Sequence, residues 1–132
     1  METINHDFYV SLEVAKLLKQ AGFDWEVQTC YDLKEGCSDT STTCNWNVYD
    51  DYASRPPLSM VQTWIREVKN VDVTVSRAMA WNQFYYTIEH EENRTSKIDV
   101  MSLNDDLWWF KYEDALEAGI KKYLTDLLHE GN

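Results

Sequence analysis

The chain has 132 residues, 44% of them hydrophobic and 27% charged, with 23 acids against 12 bases and a formal net charge of −11. A disordered chain would pair high charge with low hydrophobicity, so that class is excluded, and the length predicts one domain over residues 1–132. The charge also argues against nucleic acid and anionic membrane as partners, because both are held by Lys and Arg meeting phosphate, and no basic run here is longer than Lys121-Lys122.

Six Trp, eight Tyr and four Phe supply core material, and four Gly and two Pro leave little for flexible linkers. The opening segment METINHDFYVSLEVAKLL lacks a basic stretch followed by an apolar one, so no secretory signal is read there. No apolar run approaches the ~20 residues that span a bilayer. These readings predict a cytosolic chain whose cysteines are reduced.

The first element is a helix over residues 11–21. Ser11 is placed to cap its N-terminus, Val14, Leu17, Leu18 and Ala21 form one stripe, and Gly22 suits the left-handed residue that ends it. Residues 25–33 (WEVQTCYDL) read as a strand, residues 34–43 as a polar loop, and residues 44–49 (CNWNVY) as a returning strand. Ser54, Arg55, Pro56 and Pro57 read as a helix start. Leu58, Val61, Ile65 and Val68 then recur at helical spacing, which predicts a second helix over 57–69.

Val71, Val73 and Val75 alternate with polar residues, as do Phe84, Tyr86 and Ile88, and Ile98, Val100 and Leu103 make a third strand beyond a polar turn at 91–96. A three-stranded meander over 71–103 follows. The final helix begins near Lys111, with Glu113, Asp114 and Glu117 early and Lys121 and Lys122 later, as the helix dipole favours. Trp108, Trp109 and Phe110, just before it, are expected to pin that helix onto the sheet. The order α-β-β-α-β-β-β-α with hairpin connections predicts an α+β fold: an antiparallel sheet of about five strands with three helices.

No residue pattern names a reaction. Cys30, Cys37 and Cys44 are evenly spaced, but zinc sites use tight cysteine pairs, and none is present. Cys37 lies in the expected loop, as a candidate exposed thiol. His90 stands among Glu89, Glu91 and Glu92, and strand alternation sets Glu89 and Glu91 on the face opposite it. Asp50-Asp51 and Asp105-Asp106 fit turns better than acid–base chemistry, which needs carboxylates in distinct environments. Tyr85 and Tyr86 are adjacent, so one of them faces away from the core. Asn93-Arg94-Thr95 is a glycosylation sequon without a secretory signal. No phosphate-binding glycine loop, zinc-protease motif or nucleophile elbow is found, and no cofactor or metal is expected.

The segments SLEVAKLLKQAGFDW, PPLSMVQTWIREVKNVDVTV, FYYTIE and FKYEDALEAGIKKYLTDLL together span most of the chain. In element order and patterning they resemble a family of small phage- and prophage-associated proteins of Bacteroidetes. Residues 36–43 are less typical of it. The resemblance implies a cytosolic accessory protein in a bacterial or phage setting. That family has no assigned activity and no defined site residues, so it supplies no mechanism.

The sequence therefore points first to a non-enzymatic module that binds another protein, through Trp, Tyr and Met of the kind enriched at interfaces. The candidate surface residues are Cys37, Tyr85, His90, Glu91 and Trp108, with the 36–43 segment. One alternative is an acidic mimic of DNA that blocks a nuclease or restriction enzyme, although Lys16, Lys19, Arg66 and Lys69 interrupt the acids. Another is a small enzyme with a pocket near His90. Three short helices leave aromatic surface over, which is compatible with a homodimer through the last helix or a sheet edge.

Overall fold

The computed structural model describes residues 8–78 and 82–130, with the backbone alone described over 36–41. It is α+β, with helices α1 (Leu12–Ala21), α2 (Leu58–Lys69) and α3 (Tyr112–Glu130), and strands β1 (Val27–Asp32), β2 (Gly36–Cys44), β3 (Tyr52–Ser54), β4 (Val71–Arg77), β5 (Phe84–Glu92) and β6 (Thr95–Met101). The strands form two antiparallel sheets of three, β2-β1-β3 and β4-β5-β6, where the sequence predicts one sheet of about five strands. The chain divides into two compact units, one running to Pro57 and resuming at Leu124, the other covering Leu58–Tyr123. Among the described residues no helix is long and apolar enough to cross a membrane.

In the first unit α1 forms as expected. The Ser11 hydroxyl accepts from the Val14 N–H at 3.3 Å, satisfying one of the helix's orphan donors. Gly22, at φ 90°, ends the helix in the left-handed region, where a side chain would be strained. Its N–H donates to the Lys19 carbonyl and the Phe23 N–H to the Leu18 carbonyl, at 3.3 and 3.0 Å, which is the Schellman pattern. Val14, Ala15, Leu18 and Phe23 are buried in this unit's core with Val27, Cys30 and Ala53.

Three expectations in this unit need correction. The predicted polar loop contains β2, an edge strand whose Ser and Thr residues are compatible with extended backbone. The predicted returning strand is instead a 3₁₀ turn, Trp46–Val48, capped by the Asn45 side chain. Ser54 and Arg55 do not start a helix: Ser54 closes β3, and Arg55 is buried with its guanidinium 4.6 Å from the Tyr9 ring centroid and 5.5 Å from that of Tyr31. Planar guanidinium stacking between two rings makes the burial of this charge tolerable. The Arg55 N–H and the Thr29 hydroxyl tie this corner to β1 through the Thr29 and Arg55 carbonyls, at 2.9 and 2.8 Å.

In the second unit α2 ends at Asn70, whose φ of 58° is left-handed and whose N–H returns to the Arg66 carbonyl at 3.1 Å. Leu58, Val61, Trp64 and Ile65 are its buried stripe. The Gln62 side chain donates to the Val73 carbonyl at 2.7 Å and fixes α2 against β4. The meander expected over 71–103 is present. Its β5–β6 turn is only Asn93-Arg94, with φ 53° and 65°, the signature of a two-residue type I′ hairpin. Leu103, expected in the third strand, lies in a 3₁₀ turn, Ser102–Asp105, whose buried Ser102 hydroxyl accepts from the Tyr86 N–H at 3.0 Å.

The register of β4-β5-β6 sorts side chains by face. Val73, Ile88 and Val100 share one face with Val75 and Tyr86; Asp72, Glu89 and Ile98 share the other with Thr74, Thr87, Tyr85 and Glu91. Helix α3 meets the first face at the buried Gly119, where a side chain would run into Val73 and Tyr86.

Candidate interaction surface

Residues 107–112 (LWWFKY) pass the start of β5, held by a single antiparallel bridge between Phe84 and Trp109, then bend at Phe110 and Lys111 and enter α3 at Tyr112. Both bonds of that bridge, Phe84 N–H to the Trp109 carbonyl and Trp109 N–H to the Phe84 carbonyl, are 2.8 Å long. The left-handed Asp106 (φ 57°) and the Leu107 N–H bond to the Ser102 carbonyl turn the chain into this strap. Extended backbone sends neighbouring side chains to opposite faces. Trp109 therefore lies against Tyr86, with ring centroids 5.6 Å apart. Trp108 and Phe110 project the other way and stack edge to face at 4.9 Å.

The expectation that all three aromatics pin α3 is thus corrected. Trp109 alone is half-buried, whereas Trp108 is 38% and Phe110 71% exposed. Leu107 and Tyr112 at the two ends of the segment are also exposed, and Tyr112 meets Phe84 edge to face at 6.1 Å. An exposed apolar group of this kind marks a contact site more often than isolated surface hydrophobes do. The charged residues flanking it in sequence are mostly acidic: Asp105, Asp106 and Asp114 are exposed and Glu113 is half-buried, with Lys111 exposed among them; Arg77, also exposed, places its guanidinium 5.1 Å from the ring centroid of Phe84.

The other candidates fall at separate places. Continuing the register from Phe84–Trp109 places Trp108 opposite Tyr85, so these two share a face. Tyr85 is half-buried rather than exposed, and its neighbour Thr87 is buried, bonded to the Thr74 hydroxyl and the Glu89 carboxylate. His90 and Glu91 lie at the other end of β5, about 17 Å along the strand from Tyr85 at ~3.4 Å per residue. The side chain of Cys37 lies outside what the structure describes.

His90 occupies the face opposite Glu89 and Glu91, as the alternation predicts, paired with Val71 and Lys97. Of its two partners, Glu92 belongs to the acidic run named from the sequence, and Asp99 is a residue the sequence does not single out. The register of β6 skips Asp99 between Ile98 and Val100. Such a bulge re-aims one side chain, and the Asp99 carboxylate lies 2.7 Å from His90 Nδ1, with Glu92 3.3 Å from Nε2. Lys97 Nζ lies 3.5 Å from the same Glu92 carboxylate.

The hydrogen bond to Asp99, and then that to Glu92, raises the His90 pKa above its ordinary value of 6.5. Because the folded value exceeds the unfolded one, the pairing stabilises the hairpin fully below pH 6.5, and that contribution is lost as pH rises through the folded value. Asp99→Asn is expected to bring the His90 titration, followed by imidazole proton shifts, back down toward 6.5. An unchanged titration would contradict the assignment of Asp99 as the main cause.

An open hollow of about 390 Å³ lies nearby, lined by Arg66, Asn70, Asp72, Glu91 and Asn93. His90 is not in its lining; the titratable groups there are Arg66 and the carboxylates of Asp72 and Glu91. Among the described residues no group of three or more His, Cys, Asp or Glu could hold a metal ion. The ion cluster at His90 is exposed on the hairpin and ties β5 to β6.

No protein-family model matches the chain, and searches of curated proteins and of solved structures return no match.

Proposed function

We propose that this chain is a non-enzymatic accessory module that binds another protein through the aromatic strap at 107–112. The observation that carries this reading is the exposed Trp108–Phe110 pair, edge to face at 4.9 Å. Interface energy concentrates in a few aromatic anchors, and Trp and Tyr are prominent among them. The acidic border selects a basic partner surface and repels nucleic acid and anionic lipid. A second copy of the chain is a poor occupant, since it would bring the same acids. The cytosolic phage or prophage setting is part of the same proposal and rests on the family resemblance.

Affinity capture from a Bacteroidetes host lysate tests this by comparing the wild-type chain with a Trp108→Ala/Phe110→Ala double variant and a His90→Ala control. Each lost anchor is expected to weaken the complex by about 2 kcal/mol, roughly 30-fold. The double variant should therefore release a partner that the control retains. Equal retention by all three chains would reject the strap as the binding surface.

One observation favours the second reading, an acidic mimic of DNA. Asp72 and Glu89 are directly paired across β4 and β5 on the face that also carries Glu91. Inhibition of a nuclease that disappears with salt, and with Asp72→Asn/Glu91→Gln, is the expected signature. Inhibition untouched by those changes would dismiss it.

A further inference from the structure

We infer that the strap binds its partner as a sheet edge: an extended protein segment, alternating apolar and basic residues, adds beside residues 108–110 as a further strand. This rests on the protein-binding reading and specifies how that binding occurs.

The geometry follows from the single bridge. Both backbone groups of Trp109 are spent on Phe84. The N–H and carbonyl of a planar trans peptide point to opposite sides, so the Trp108 carbonyl and the Phe110 N–H, which share peptide units with the two Trp109 groups, point away from β5. Among the described residues neither of these two groups has a backbone hydrogen-bond partner. An edge of this kind is a template for another strand unless a proline, a bulge or a covering loop blocks it. The strap carries no proline.

Side chains set the identity of the added strand. Trp108 and Phe110 stand on one face of the strap, two residues apart. A paired strand places alternate side chains directly beside that face, and backbone bonds give affinity while those alternate positions give specificity. Apolar residues there would pack against the stacked rings. The acids at both ends, Asp105 and Asp106 on one side and Glu113 and Asp114 on the other, favour Lys or Arg in the flanking positions.

The probe is a synthetic eight-residue peptide alternating valine and lysine, with one valine replaced by phenylalanine, added to the full chain and followed by amide NMR. The expected result in the wild-type chain is a shift of the Trp108 indole N–H together with at least ~10-fold slower hydrogen exchange at the amide of residue 110, the slowing being absent in Trp108→Ala/Phe110→Ala. An indole shift with unchanged amide exchange would overturn edge pairing, since the rings alone would then account for binding, and would leave the protein-binding reading intact. No binding of the peptide would overturn the partner chemistry inferred here. A strap-dependent partner recovered in the capture experiment would still uphold the broader reading.

Discussion

Trp64→Ala is expected to remove about 3–5 kcal/mol of folding stability, the usual loss when a large aromatic is cut from a packed core. Trp64 is 1% exposed and sits on the buried stripe of α2 with Leu58, Val61 and Ile65. Lys69 lies five residues on, its ammonium 5.5 Å from the ring centroid. A domain of this size holds roughly 5–15 kcal/mol in total, so the variant should be largely unfolded in moderate urea. Urea unfolding followed by far-UV circular dichroism measures this. Trp64→Phe should recover much of the loss, because most of the apolar volume returns. A loss below about 1 kcal/mol for Trp64→Ala would mean that the ring is not a core element.

Gly119→Val is expected to destabilise the chain by more than Gly119→Ala, and both should be less stable than wild type. In an exposed helix the change from glycine to alanine stabilises by about 1 kcal/mol. Here a Cβ would stand 2.9 Å from Tyr86 Cγ, 2.9 Å from Val73 Cγ1 and 3.0 Å from Tyr86 Cβ. Neither neighbour can easily retreat: Val73 and Tyr86 are buried and belong to strands held in register. Overpacking of this kind costs about 1–3 kcal/mol, which exceeds the helix gain, and the two extra methyls of valine add to it. Tyr86 also packs against Trp109, so a displaced Tyr86 should disturb the strap as well as the core. Thermal unfolding of the two variants checks the order. A Gly119→Ala chain more stable than wild type would show that α3 shifts freely over the sheet.

Much of the fold was legible because local signals and tertiary packing agree. Ser11 and Gly22 bound α1, the Leu58–Val61–Ile65 spacing marks α2, and the valine alternation at 71–75 marks β4. The two-sheet arrangement was not legible. It depends on β3, only three residues long and followed by Arg55, Pro56 and Pro57, a run that carries helix-start chemistry. It depends equally on β2, whose Gly, Ser, Asp and Thr residues resemble a loop, because an edge strand needs no apolar alternation.

The candidate surface was half legible for the same kind of reason. Trp108 was named from composition, but three consecutive aromatics suggest a buried cluster. Only the Phe84–Trp109 bridge reveals which one turns inward. Phe110 is set outside by its 71% exposure and its contact with Trp108, at a bend that no sequence pattern marks. Asp99 is a harder case. Its partnership with His90 arises from a register shift in β6, which no pattern in the sequence announces.

The proposed function requires that a protein seats on the strap in the cell. The direct measurement is site-specific photocrosslinking, with a photoreactive phenylalanine analogue placed at Phe110 and, as a control, at the equally exposed Val48 of the other unit. The expected result is one discrete adduct from position 110 that position 48 does not give. No adduct from 110, or the same set of adducts from both positions, would contradict it.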